Sequence, residues 1–121
     1  MAHNCLIDPN LRCIFVRYWG RVDAKELGEV RREIEADPVF GPGMNRLWDE
    51  RDCTIDVSHD ELVRLAEVWS QNAANHGSRK LAYLVEDDLS WGFNRVFEAY
   101  RDNPEVSYKL FRDYDEAKVW L

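Results

Sequence analysis

The stretch that decides the fold reads Met44-Asn-Arg-Leu-Trp-Asp-Glu-Arg-Asp-Cys-Thr-Ile-Asp-Val-Ser-His-Asp-Glu-Leu62. The mostly apolar residues at its start predict a short strand. This strand ends at Asp49 and runs into a loop of acidic residues. Ser58 and Glu61 then have the spacing of a capping box, which marks the start of a helix. In a chain of alternating strands and helices, this junction lies at the carboxyl end of a strand, where ligands and partner proteins usually bind.

The residues before this stretch predict two strands and a helix. Residues 4–8 and 11–18 are rich in strand-forming residues, and the turn Asp8-Pro9-Asn10 joins them. Asp23 and Glu26 form another capping box, and the apolar residues that follow recur at helical spacing. The helix is expected to end at Asp37, because the residue before a proline avoids the helical region.

The residues after the stretch complete an alternating pattern. We predict a helix from Ser58 to about His76, a buried strand at 80–85, a helix at 89–103 and a strand at 106–111. A capping box that begins at Asp113 opens a short terminal helix. The order ββαβαβαβα predicts one α/β domain over residues 1–121, with a mainly parallel sheet covered by helices.

Composition narrows the classes of function. The 121 residues include 16 Lys and Arg against 23 Asp and Glu, a formal net charge of −7. That sign disfavours nucleic acid and anionic membranes. The sequence has no transmembrane segment and no leader pattern, so we expect a cytoplasmic protein. Three widely spaced cysteines do not form a disulfide framework, so we expect reduced thiols.

Four short motifs lie at the junctions of this pattern. They are the strand end Leu47-Trp-Asp49, the helix start Ser58-His-Asp-Glu61, the segment Trp91-Gly-Phe-Asn-Arg95 and the terminal Glu116-Ala-Lys-Val-Trp-Leu121. With the element order, they resemble the SpoIIAA-like fold shared by STAS domains and the lipid-binding Sec14 group. The closer resemblance is to small bacterial SpoIIAA-like proteins, and it covers nearly the whole chain.

This resemblance implies a regulatory role. In regulatory STAS domains, a Ser or Thr in an Asp-Ser-(Ser/Thr)-Gly loop before the second helix is phosphorylated. Here Asp49 is followed by Glu50-Arg51-Asp52 with no Ser-Gly, and Ser58 lies further on. Since a phosphoryl group would face several acidic neighbours, we interpret Ser58 as a helix cap. Its phosphorylation is the alternative.

Catalytic and metal signatures are weak. Asp49, Glu50, Asp52 and Asp56 lack the calcium-loop pattern, and neighbouring strand residues point to opposite faces, so we expect a solvated acidic loop. Neither Cys53 nor Ser58 lies in a nucleophile motif. The sequence therefore predicts no metal, no cofactor and no catalytic residue, and an enzyme is the least favoured class.

The most suggestive pair is Trp91 and Arg95, four residues apart on one helix face. An aromatic ring beside a guanidinium can receive a flat or anionic ligand or anchor a partner protein. The alternative interpretation places Trp91 in the core and pairs Arg95 with Asp87 or Asp88. Trp19, after the second strand, would line the same end of the sheet.

Two hypotheses follow from these residues. The first is a non-catalytic regulatory or protein-interaction module, with a homodimer as one candidate assembly, whose surface includes Asp49, Arg51, Ser58, Trp91 and Arg95. The protein partner is unknown. The second is a binding protein for a small apolar or lipid-like ligand, held between a helix and the sheet near Trp91 and Arg95. Phe93, Phe97 and Tyr100 would supply its apolar walls.

Overall fold

Five strands in the order β1-β2-β3-β4-β5 form one sheet in the computed structural model, which describes residues 2–71, 76–101 and 106–121. The strands are β1 (His3–Asp8), β2 (Cys13–Asp23), β3 (Asn45–Asp56), β4 (Arg79–Leu84) and β5 (Val106–Phe111). The helices in these ranges are α1 (Ala24–Ala36), α2 (His59–Gln71), α3 (Asp88–Arg101) and α4 (Tyr114–Trp120). β1 is antiparallel to β2, and every other pair is parallel. The predicted α/β class and element order are confirmed.

Side-chain caps start the helices where the sequence predicts them. At α2 the box is reciprocal, because the Glu61 N–H donates to Ser58 Oγ at 3.2 Å and Glu61 Oε1 accepts from the Ser58 N–H at 3.0 Å. The Asp23 and Asp113 carboxylates cap α1 and α4 from the equivalent position. The predicted end of α3 at residue 103 lies outside the described residues.

The helices cover the two sides of the sheet unequally. Strands β2 to β5 follow each other in one direction, and right-handed crossovers place all three connecting helices on one face. The larger core cluster lies under α1, α2 and α3, and it includes Val30, Trp69 and Phe97. α4 returns to the opposite face, where Ala117 packs in a smaller cluster. No helix among the described residues is long and apolar enough to cross a membrane.

β3 corrects the prediction of a solvated acidic loop. The strand does not end at Asp49 but continues to Asp56, so Asp49, Glu50 and Asp52 are strand residues. Asp49 and Glu50 are also buried, with 7% and 4% of their surfaces exposed. The acidic segment is therefore part of the sheet.

Ion pairs between neighbouring strands explain this extension. β2 is also longer than predicted, and the two strands stay paired as far as Asp23 and Asp56. Arg17 donates to Asp52 at 2.9 Å, and Arg21 Nε donates to Asp56 at 2.6 Å. Both pairs join diagonal positions of β2 and β3, which long side chains can reach. The acidic residues that look like a loop in the sequence therefore fit this pair of strands.

A β-bulge interrupts the pairing of β2 and β3. Arg17 pairs with Asp49 and Trp19 pairs with Asp52, so the single residue Tyr18 lies opposite Glu50 and Arg51. An extra residue in one strand changes which of its later side chains face the core. Cys53 accordingly belongs to the larger core cluster, on the same face as Trp48. The bulge lies where β3 leaves β4, at the carboxyl end of the sheet.

Candidate functional site

A small cavity lies between the sheet and helices α1, α2 and α3. Its volume is about 40 Å³. Its walls are mostly aromatic, and Glu50 and Asn94 are its polar members. The lining residues are Tyr18, Leu27, Trp48, Glu50, Leu65, Trp69, Tyr83, Phe93, Asn94 and Phe97. We call it the Glu50 cavity.

Strand register sets the aromatic wall. Trp48 pairs with Tyr83 across β3 and β4, and their rings stack with centroids 6.5 Å apart. Tyr18 stacks on the other side of Trp48 at 6.3 Å. Trp69 of α2 meets Trp48 edge-on at 6.0 Å. Offset stacks and edge contacts at these distances are favourable, so the wall is a packed aromatic group.

Glu50 brings a carboxyl group into this apolar setting. Its Oε1 accepts a hydrogen bond from Asn94 Nδ2 at 2.5 Å, and Asn94 also donates to the Ser90 carbonyl at 3.0 Å. Burial raises the pKa of Glu50 to about 7, the Asn94 hydrogen bond opposes this, and the charges of Asp49 and Asp87 add to it. The carboxyl group of Glu50 therefore loses its proton at a higher pH than an exposed glutamate does.

A polar stripe on α3 faces this region. Ser90, Asn94 and Glu98 recur every four residues, and all three are buried. The Glu98 carboxylate accepts a hydrogen bond from the Tyr83 hydroxyl at 2.5 Å. Leu89 and Val96 of the same helix are exposed. α3 thus turns a polar stripe inward beside its apolar core residue Phe97, and it leaves two apolar side chains exposed.

The indole N–H of Trp48 adds one more polar group at the cavity. Its Nε1 is buried and has no hydrogen-bond partner among the residues that the structure describes. Buried indole N–H groups usually find an acceptor. The cavity wall therefore offers a hydrogen-bond donor.

A second buried polar cluster lies at the other end of β3 and is structural. The Arg46 guanidinium donates to His76 Nδ1, and His76 Nε2 lies 3.0 Å from Glu35 of α1. Burial and the Arg46 charge lower the pKa of His76 to about 4. A neutral imidazole accepts from Arg46 and donates to Glu35, so this cluster ties α1 to the sheet.

The predicted pair of Trp91 and Arg95 has a different geometry. The cation over the Trp91 ring is Arg112, with its guanidinium carbon 5.2 Å from the ring centroid. Arg112 also pairs with Asp88, the acid that the alternative interpretation assigned to Arg95, at 2.9 Å. Arg95 is exposed, and neither Trp91 nor Arg95 lines the Glu50 cavity.

The other predicted site residues do not come together at the cavity. Asp49 faces away from the cavity and binds the Arg51 guanidinium through two hydrogen bonds of 3.0 Å. Trp19 is exposed, 5.9 Å from the Arg17 guanidinium carbon. Ser58 is an exposed helix cap. None of these residues lines the cavity.

Phe93 and Phe97, which the sequence offered as apolar walls of a ligand pocket, line the Glu50 cavity, and the side chain of Tyr100 lies outside the described part of the structure. Glu50 and Asn94 were not predicted as a pair. One signal was present, since Ser90, Asn94 and Glu98 repeat at helical spacing in an otherwise apolar segment. Within the described ranges, no group of three or more His, Cys, Asp or Glu side chains could hold a metal ion.

Comparison with known proteins supports the fold. No protein-family model and no curated protein matches the chain. A crystal structure does match, that of an uncharacterized protein from the DUF3478 family with a SpoIIAA-like fold from Shewanella loihica PV-4. The match covers 99% of this chain and 94% of that chain, with 14% sequence identity and a TM-score of 0.68. The fold predicted from the sequence is confirmed: this chain has a SpoIIAA-like fold.

Proposed function

We propose that this protein binds a small molecule in the Glu50 cavity and does not act on it chemically. The observation that carries the proposal is a buried carboxyl group in an aromatic cavity at the carboxyl end of a mainly parallel sheet. Ligand sites in proteins are typically apolar cavities with a few polar groups, and in α/β sheets they lie at this end.

The energetic cost of Glu50 supports a role in binding. A carboxyl group buried among aromatic rings destabilises the fold once it ionises. A Gln of the same shape could accept the Asn94 hydrogen bond without that cost. Residues that lower the stability of a fold without stabilising another part of it are concentrated at functional sites.

The size of the cavity limits the ligand. Its volume of about 40 Å³ is close to that of one or two water molecules. The half-buried Leu27, Leu65 and Phe93 come from three different helices and form its outer edge. A ligand of a few heavy atoms, or the compact head of a longer one, therefore fits best.

Blocking the cavity tests this function. Leu65→Trp places a large ring at the outer edge, while Val119→Trp is the matched control on exposed α4. In a thermal-shift screen against a library of small metabolites, we expect hits that raise the Tm of the wild type and of V119W. The same hits should leave L65W unchanged. An equal response of L65W, or no hit for the wild type, contradicts the proposal.

A second candidate function is self-association through α3. Leu89 is 75% exposed and Val96 is 43% exposed, and their spacing of seven residues puts them on one side of the helix. An apolar stripe of this kind suits a contact with a second copy, in line with the homodimer predicted from the sequence.

Sedimentation of the wild type and of a Leu89→Ser, Val96→Ser double variant tests this contact. We expect a concentration-dependent dimer for the wild type and a monomer for the variant. A wild type that remains monomeric at millimolar concentration contradicts self-association and leaves the ligand site unaffected.

A further inference from the structure

We propose that the ligand of the Glu50 cavity carries a compact organic cation, an ammonium group with a nearby oxygen. This inference rests on the proposed binding function and names the chemical class of its ligand. Glu50 would be the counter-ion, the aromatic rings would surround the cation, and the Trp48 N–H would bind the oxygen.

The charge around Glu50 is the first argument. Glu50 has no salt bridge among the described residues, and Asp49 and Asp87, which act on it electrostatically, are both acidic. The protein as a whole has a formal charge of −7. A cation in the cavity would therefore meet a negative site that the protein itself leaves unneutralised.

The aromatic wall is the second argument. The faces of Trp and Tyr rings are negative and attract cations within about 6 Å, most strongly when water is excluded. Tyr18, Trp48, Trp69 and Tyr83 all line the cavity, and all are buried. Tyr18 and Tyr83 stack on the two faces of Trp48, so each tyrosine keeps one face that Trp48 does not cover. These rings with the Glu50 carboxyl group suit an ammonium group better than a neutral apolar group, for which the carboxylate gives no favourable contact.

The Trp48 indole is the third argument. Its buried N–H lacks an acceptor within residues 2–71, 76–101 and 106–121. Leaving such a donor unsatisfied costs about 1–3 kcal/mol. A hydroxyl or carbonyl oxygen close to the ammonium group would accept this hydrogen bond. An amino alcohol has both groups within the small volume available.

Two pairs of probes separate charge from shape. Ethanolamine and propan-1-ol differ in an ammonium group against a methyl group. 2-(Methylamino)ethanol and butan-1-ol, which are one heavy atom larger, differ in an ammonium group against a methylene group. The readout is the indole N–H signal of Trp48 in two-dimensional NMR, identified by its loss in Trp48→Phe. We expect at least one cation to shift this signal with saturation, with its neutral partner binding at least tenfold more weakly.

Two variants complete the test. Glu50→Gln keeps the shape of the side chain and should weaken the cation at least tenfold while leaving the neutral partner unchanged. Asp52→Asn is the matched control, because it removes an acid of the same strand that is exposed and paired with Arg17, and it should keep the cation preference. Equal binding of cation and neutral partner, or full cation binding by E50Q, overturns the inference but leaves the proposed function standing. If none of the four probes binds, the inference also fails, while the library screen decides the binding function independently.

Discussion

Asp49 and Glu50 are neighbours on β3, but their side chains lie on opposite faces of the sheet and have different partners. Asp49 faces α4, where it holds Arg51 through two hydrogen bonds, and the Arg51 guanidinium lies 5.9 Å from the Tyr114 ring. Glu50 faces the other helices, where a neutral amide and aromatic rings surround it. One acid is neutralised within the fold, and the other is not.

This difference separates a structural acid from a candidate functional one. A buried carboxylate with its own cation and hydrogen bonds recovers much of the energy that it loses on leaving water. A carboxyl group with only a neutral partner recovers less, so its pKa rises and the fold bears the cost. The missing cation, more than the carboxyl group itself, points to a ligand.

The largest expected effect comes from removing the charge of Glu50. Its pKa is about 7 in the fold against an ordinary value of 4.5. Because the unfolded chain releases this proton at lower pH, the stability of the wild type falls as pH rises from 4.5 to 7. The loss is of order 3 kcal/mol. Glu50→Gln should therefore be more stable than the wild type by about that amount at pH 8.

Urea unfolding at several pH values measures this effect. At pH 4 the Glu50 carboxyl is protonated in both states, so E50Q and the wild type should have nearly equal free energies of unfolding. The gap should open between pH 4.5 and 7 and stay constant above that. A variant that is less stable than the wild type at pH 8 would show that an unseen partner stabilises the Glu50 carboxylate.

His3 is a third buried titratable residue, and its positive charge is lost when the pH rises. It is buried, and its two ring nitrogens contact the carboxylates of Glu26 and Glu33 on α1. Burial alone would lower the pKa of His3, but the hydrogen bonds to Glu33 and Glu26 outweigh it and raise the pKa above 6.5. Its stabilising effect is full below pH 6.5 and is lost as pH rises through the raised pKa.

We expect His3→Gln to lower the free energy of unfolding by about 1–2 kcal/mol at pH 6. The difference from the wild type should shrink at pH 9, where the imidazole is neutral. Chemical unfolding at the two pH values measures it. His59→Gln is the control, because His59 is exposed on α2. A constant difference between pH 6 and 9 would mean that His3 contributes packing and not charge.

Local patterns predict the part of this structure that depends on neighbours in the sequence. The capping boxes at Asp23, Ser58 and Asp113 start their helices as predicted, and the element order is correct. The prediction of a loop for the acidic segment was wrong, because the segment forms a strand by pairing with Arg17 and Arg21, which lie about 35 positions away along the chain. A pattern within one segment contains no information about such a partner.

The site was harder to predict for a related reason. Glu50 shares the face of Trp48 by strand alternation, but its place in the sheet depends on the pairing of β3 with β2, and what meets it there depends on the rotation of α3. Trp91 and Arg95 were chosen for their spacing of four residues on one helix face, whereas the structure turns Asn94 of the same helix toward Glu50. Tertiary packing fixes the rotation of a helix whose two sides are both mixed.

The smallest expected effect comes from replacing Asp49, the acid that already has a cation as its partner. Asp49→Asn removes the partner of Arg51, whose side chain is 39% exposed, so we expect a loss of stability below about 1 kcal/mol. The same change removes one of the acids that raise the pKa of Glu50. The pH range over which the wild type loses stability should therefore move to lower pH in D49N.

Urea unfolding between pH 4 and 8 measures both quantities, and Asp52→Asn, at an exposed ion pair on the same strand, is the control. An unchanged pH range in D49N would mean that Asp49 and Glu50 do not influence each other, and that burial alone sets the state of Glu50.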